Sequence, residues 1–268
     1  MKKLLVHKNS GLDILVKVKN IVIGGEEKVI ISGPCSVENY DNMHDIASGL
    51  KEIGVHILRG GAFKPRTSPY DFQGYKEEGL KILRSVGDEF DMPIVTEVMD
   101  SKDIDLVLSY ADMLQIGSRN MYNYSLLKEV GKLKTPILLK RGMSATLHEW
   151  LYAAEYIMAS GNENVVLCER GIRTFETYTR NTLDLSAVAA IKQCYRIPVI
   201  VDPSHGTGRR ELVSKMSLAA IAAGADGLMI ESHINPDNAI SDAKQTVSIG
   251  TVDEIVKTIR KFENIFSK

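Results

Sequence analysis

Val29 to Glu38 reads VIISGPCSVE, and this stretch decides how the rest of the chain is read. Val29 to Ser32 is a continuous apolar run rather than an alternating one, which suits a strand buried on both faces of a parallel sheet. The turn after it, SGPCS, lacks the GxGxxG pattern with which a dinucleotide fold would follow its first strand. Seven further runs of the same kind fall at Val55–Arg59, Pro93–Glu97, Met113–Ile116, Pro136–Lys140, Val165–Glu169, Pro198–Asp202 and Gly227–Glu231. Helical patterns lie between them, so strand and helix alternate about eight times, as in a (β/α)8 TIM barrel. An open doubly wound sheet is the alternative, but it usually has fewer strands and a clear switch point.

The helices are legible from their spacing. Met43, Ile46, Ala47, Leu50 and Ile53 fall at helical intervals, and Gly54 is placed to end that helix. Leu147, Trp150, Leu151, Ala154 and Met158 repeat the pattern before Gly161, and Val252, Ile255, Val256, Ile259 and Phe262 form a last amphipathic stripe. ILVKVKNIVIGG, ahead of Val29, reads as a short hairpin covering the bottom of the barrel. The expected organisation is an N-terminal extension over 1–28 and a single catalytic barrel over 29–268.

The chain has 268 residues, 44% of them hydrophobic, which is enough for a large core. Its formal net charge of -1 argues against a general nucleic-acid binder. No apolar run has the length of a signal peptide or a membrane span. Three widely spaced cysteines, Cys35, Cys168 and Cys194, make no disulfide framework, so a reducing cytoplasm is the expected compartment. Cys168 and Cys194 read as structural, one in a strand and one on a helix.

A barrel places its chemistry at the C-terminal ends of its strands. Reading only those ends gives Cys35 after the first strand, then Arg59, Lys64, Arg66 and Thr67 after the second. Glu97 ends the third, Arg119 follows the fourth, Lys140 and Arg141 end the fifth, and Glu169 and Arg170 end the sixth. Asp202 and His205 follow the seventh, Glu231 ends the eighth, and Asp242 lies in the loop after it. Cations from at least five strand ends would repel one another in a cleft unless anions joined them. Arg forks and Lys ammoniums suit phosphate and carboxylate oxygens. The loop RGGAFKPRTSP (Arg59–Pro69) therefore looks built for a doubly anionic small ligand, with Gly60 and Gly61 allowing close backbone approach and Pro65 and Pro69 stiffening it.

Cys35, His205, Glu231 and Asp242 form a second set. A thiolate, an imidazole and two carboxylates suit a divalent transition ion, and strands one, seven and eight become neighbours when the sheet closes. Three of them also have a plainer reading alone: Cys35 as a buried small hydrophobe, His205 as a hydrogen-bonded loop residue, Glu231 as the counter-charge to a nearby cation. HGTGRRE reads as a plain turn rather than a phosphate loop.

GPCSVE, RGGAFKPRTSP, TEVMD, QIGSRNM, LLKRGM, CERGIRTF, VDPSHGTGRRE and ESHINPDNAISDAKQTV, in that order, resemble the 3-deoxy-D-arabino-heptulosonate 7-phosphate synthase family, in its short microbial form without a regulatory domain. The resemblance implies a (β/α)8 barrel that condenses phosphoenolpyruvate with erythrose 4-phosphate and water, releases phosphate and opens the shikimate pathway. It implies a divalent metal ion at Cys35, His205, Glu231 and Asp242, Mn²⁺ ahead of Fe²⁺, Co²⁺ or Zn²⁺. It implies phosphoenolpyruvate contacts from Arg59, Lys64, Arg119, Lys140 and Arg170, and a phosphate contact for the aldose from Arg66 and Thr67. Lys64, His205 and Cys35 are the candidate catalytic groups, with Lys64 as proton donor and Glu97 orienting a lysine or a water. A homodimer or homotetramer is expected, with no nucleic-acid or membrane partner.

Two rival enzymes share parts of this pattern. The 3-deoxy-D-manno-octulosonate 8-phosphate synthases, which take arabinose 5-phosphate, share the barrel and the phosphoenolpyruvate half. They resemble KANRSS where this chain has KPRTSP, and they lack PSHGTGRR. A Schiff-base aldolase would use Lys140 as nucleophile. A phosphate-ligand sensor without activity is the non-enzymatic alternative.

Overall fold

Each of the eight runs forms a strand, and the eight strands close on themselves. The computed structural model describes residues 4–65, 68 and 70–266, the last five by backbone alone. A hairpin of β1 (Val16–Val18) and β2 (Ile21–Ile23) precedes the barrel strands β3 (Val29–Gly33), β4 (Ile57–Arg59), β5 (Ile94–Glu97), β6 (Met113–Ile116), β7 (Ile137–Lys140), β8 (Val165–Glu169), β9 (Val199–Val201) and β10 (Gly227–His233). Their order is β10-β3-β4-β5-β6-β7-β8-β9, all parallel, and β9 pairs with β10 to complete the ring. The chain is thus a (β/α)8 barrel, with every residue of its eight barrel strands buried except Glu97, which is partly exposed.

Two strand limits differ from the sequence reading by two residues, and the others agree within one. Val55 is not in β4, because its N–H bonds Leu50 O at the end of the preceding helix. The eighth barrel strand runs two residues past Glu231, because Ser232 and His233 pair with a short strand β11 (Val247–Ser248).

The outer layer follows the helical spacing. Asn39 caps α1 (Tyr40–Glu52) by accepting from Asn42 N, and Met43, Ile46, Ala47 and Leu50 are its buried face. Gly54, with φ 80°, then takes the left-handed turn that ends it. The other helices are α2 (Lys76–Glu89), α3 (Ile104–Leu108), α4 (Tyr124–Gly131), α5 (Leu147–Ala159), α6 (Leu185–Cys194), α7 (Pro203–Thr207), α8 (Arg210–Ala222) and α9 (Ile249–Phe266). Val252, Ile255, Val256 and Ile259 bury one face of α9; the side chain of Phe262 lies outside the described residues. HGTGRRE is not a plain turn. Pro203 starts a helical turn, Asp202 caps it through His205 N, and Gly208 at φ 68° closes it before α8. No helix among the described residues is long and apolar enough to cross a membrane.

The hairpin lies across the N-terminal end of the barrel, as its sequence suggested. Ile14 N bonds Arg196 O just before β9, and Lys19, at the hairpin tip, reaches Asp112 just before β6, at 3.4 Å. The bottom is closed, and the strand C-termini open at the other end.

Candidate active site

The loops at that open end bring Cys35, Glu231 and Asp242 together, with one ligand atom from each within 4.8 Å of the others. They come from elements far apart in sequence. Cys35 follows β3, and the pairing of Glu231 with Gly33 sets Glu231 at the same height in the next strand. Asp242 comes from the loop before β11. The Cys35 thiol donates to Asp242 Oδ2 at 3.1 Å, while Lys64 Nζ donates to Cys35 Sγ at 2.9 Å and to Cys35 O at 2.8 Å. Burial, reinforced by Glu231, pushes the Cys35 thiol up to about 11.

His205, on α7, stands beside this cluster rather than within it. Its Nδ1 lies 2.7 Å from Asp202 Oδ2 and its Nε2 lies 3.5 Å from Glu231 Oε1. A carboxylate can only accept, so Asp202 selects the tautomer protonated at Nδ1. The lone pair on Nε2 then faces a carboxylate oxygen, and burial favours a neutral ring by lowering its pKa. Two acceptors facing each other are stable only with a cation between them. Imidazole, thiol and two carboxylates with this facing geometry fit a borderline divalent transition ion.

Buried acids hold several of the expected cations. Arg59 Nη1 lies 2.6 Å from Glu231 Oε1, and Lys140 Nζ lies 2.6 Å from Asp202 Oδ2. Burial alone would raise both carboxyls, but Arg59 pulls Glu231 below the ordinary range, and the Nδ1–H of His205 with Lys140 does the same to Asp202. Two of the anions that the converging cations need are thus the protein's own: Glu231 balances Arg59 and Asp202 balances Lys140. Arg119 and Arg170 are different. Among the described residues no carboxylate lies within ion-pair distance of either, and both line the cavity at the mouth with Arg59, Lys64, Lys140 and His205. Burial lowers the Arg170 pKa, and an anion placed against it would offset that cost.

Other expectations are redirected. Arg141 does not line the mouth. It bonds Glu169 and Asp184, each at 2.9 Å, and lies over the Trp150 ring. Glu97 accepts from Gln115 Nε2 at 3.1 Å, not from a lysine. Gly60 and Gly61 make room for neighbouring protein. A Cβ at Gly61 would lie 2.5 Å from Cys35 O and 2.8 Å from Lys64 Cδ, and one at Gly60 would lie 2.9 Å from Val37. Cys168 is buried in β8 and Cys194 is exposed on α6. Arg66, Thr67 and Pro69 lie outside the described residues.

The sequence reading gave no role to Gln245 and Arg180. Gln245 is buried, donates through Nε2 to Glu231 Oε2 at 2.5 Å, and accepts from Arg180 Nη1 at 3.2 Å. Arg180 also approaches Asp242 Oδ1 at 3.5 Å and lines the cavity. It sits between β8 and α6, where no hydrophobic period marks a position, so its only signal was its charge.

The family model described as "DAHP synthetase I family" matches residues 9–267. The chain belongs to the DAHP synthetase I family. It is 49% identical over 93% of its length to the phospho-2-dehydro-3-deoxyheptonate aldolase of Thermotoga maritima, covering 74% of that protein. A crystal structure of the Thermotoga maritima DAHP synthase superposes with TM-score 0.96 at 46% identity, over 99% of this chain and 78% of the other. A truncated form of the Thermotoga maritima synthase superposes with TM-score 0.91 at 43% identity, covering 98% and 97%. The 2-dehydro-3-deoxyphosphooctonate aldolase of Fusobacterium nucleatum is more distant, 30% identical over 93% of this chain and 96% of its own. The protein is an enzyme of the DAHP synthetase I family, and its barrel is the fold of that family's solved members.

Proposed function

We propose that this chain condenses phosphoenolpyruvate with erythrose 4-phosphate and water, giving 3-deoxy-D-arabino-heptulosonate 7-phosphate and inorganic phosphate, the first step of the shikimate pathway to the aromatic amino acids. The observation that carries this reading is the 49% identity to a heptulosonate enzyme across 93% of the chain, against 30% to the octulosonate enzyme. KPRTSP in the second loop agrees with the four-carbon acceptor.

Cys35, His205, Glu231 and Asp242 are read as the ligands of a divalent ion, Mn²⁺ first among the candidates, which when bound would supply Lewis acidity towards the aldehyde oxygen. The remaining work falls to the chain. Arg119 and Arg170, with no carboxylate at ion-pair distance among the described residues, would take the phosphate and carboxylate of phosphoenolpyruvate, with Arg59, Lys64 and Lys140 around them. Arg66 and Thr67 would take the phosphate of the aldose. As carbon three of phosphoenolpyruvate attacks the aldehyde carbon, the aldehyde oxygen becomes an alkoxide, and Lys64 would give it a proton. Water then adds at carbon two, and the tetrahedral product expels phosphate. Asp202 would hold His205 in the tautomer that leaves Nε2 free. One catalytic barrel over 29–268, a homodimer or homotetramer, and a reducing cytoplasm complete the reading.

Phosphate release from phosphoenolpyruvate tests it, measured with erythrose 4-phosphate and arabinose 5-phosphate side by side, before and after chelation. Release with the four-carbon sugar, lost on chelation and restored by Mn²⁺, is expected. Equal or faster release with the five-carbon sugar overturns the acceptor, and full turnover after chelation overturns the metal requirement.

A further inference from the structure

The loop from Ile234 to Thr246 carries Asp242 with φ 55°, a left-handed conformation seldom taken by a residue other than glycine. Such a conformation persists where its surroundings hold it. Three contacts tie this loop to the segment after β3. Ser36 Oγ and Ser241 Oγ, both buried, lie 2.7 Å apart. Ile240 N donates to Glu38 Oε1 at 3.0 Å, and the Cys35 thiol donates to Asp242 Oδ2 at 3.1 Å. Only the last involves residues read as metal ligands.

Glu38 is the hub of these ties. Its Oε2 accepts from Asn42 Nδ2 of α1 at 2.9 Å and faces His233 Nε2, at the end of β10, at 3.4 Å. That Nε2 is buried and finds no hydrogen bond elsewhere. The other ring nitrogen of His233 meets the backbone of Asn235, where the Asp242 loop begins. The Glu38 side chain is only 9% exposed, so a carboxylate that could have remained in water is instead committed to three elements. Neither Glu38 nor Ser36 lines the cavity.

We propose that Glu38, assisted by Ser36, is a positioning residue for the metal site. It fixes the Asp242 loop against the Cys35 segment, so that the Asp242 carboxylate stands beside the Cys35 thiol. The inference rests on the reading of Cys35 and Asp242 as ligands. Groups that orient metal ligands are typically worth ten- to a hundredfold in metal affinity.

The test is Mn²⁺ affinity, measured by competition with a chromophoric chelator, for the full chain and for Glu38→Ala, Glu38→Gln, Ser36→Ala and Asp242→Ala, with folding followed by circular dichroism. Glu38→Ala is expected to weaken binding about tenfold or more. Glu38→Gln, which keeps an acceptor for Ile240 N, is expected to recover most of that loss. Unchanged affinity in folded Glu38→Ala overturns the proposal. If Glu38→Ala does not fold, Ser36→Ala decides: weaker binding supports the proposal and unchanged binding overturns it. If Asp242→Ala binds as tightly as the unaltered chain, the ligand reading itself fails and the proposal falls with it.

Discussion

Arg59 Nη1 lies 2.6 Å from Glu231 Oε1, and both side chains are closed off from solvent. Glu231 also accepts from Gln245 and faces His205, so this carboxylate sits at the centre of a polar cluster inside a hydrophobic barrel. A buried ion pair adds little net stability, but removing one partner leaves the other charge stranded.

Arg59→Ala is therefore expected to destabilise the metal-free protein by about 3 kcal/mol, read as a fall in the urea midpoint at unchanged slope. Arg59→Lys keeps the charge without the fork and should lose less. Unchanged stability in Arg59→Ala would mean that His205 and Gln245 alone balance Glu231.

Metal binding has its own signature. Without an ion, the Cys35 thiol is pushed up to about 11, so at neutral pH it is protonated. A bound ion takes the thiolate, so binding releases that proton and affinity rises with pH below about 11. Co²⁺ added to the chelated protein should produce a thiolate charge-transfer band in the near ultraviolet. The band should weaken as pH falls and vanish in Cys35→Ser. A band that survives in Cys35→Ser places the ion elsewhere.

The barrel was legible because its signal is repeated. Eight apolar runs, each buried on both faces, leave few alternatives, and the closure of β9 on β10 follows from the count. Strand ends then name Cys35, Lys64, His205 and Glu231 without coordinates. The pairing of acids with cations was not legible. Whether Arg59 meets Glu231, or Arg141 turns away to Glu169 and Asp184, depends on side-chain direction across 172, 28 and 43 residues of chain. Gln245 and Glu38 were missed for the same reason: a buried amide or carboxylate in a loop has no periodicity to mark it. HGTGRRE, read as a turn, is helical because Asp202 caps it and Pro203 starts it.

Lys140 separates the condensing enzyme from a Schiff-base aldolase. A Schiff base needs an amine free to attack a carbonyl, and Lys140 Nζ is held 2.6 Å from Asp202 Oδ2 inside the protein. Borohydride added during turnover should trap no substrate on Lys140, as read by mass spectrometry of peptides. A reduced adduct at Lys140 would favour the aldolase.

Gly61 tests whether Lys64 must lie against Cys35. The two meet because nothing projects from Gly61: a Cβ there would stand 2.8 Å from Lys64 Cδ and 2.5 Å from Cys35 O. The lysine stem can swing aside, but the Cys35 carbonyl belongs to the backbone and cannot yield without moving the thiol. Gly61→Ala should therefore lower kcat at least tenfold, because it shifts both the proton donor and the thiol. It should affect the KM for phosphoenolpyruvate less, since Arg119 and Arg170 come from other strand ends, after β6 and β8. A rise in KM with kcat unchanged would instead assign Lys64 to holding the substrate rather than to giving a proton.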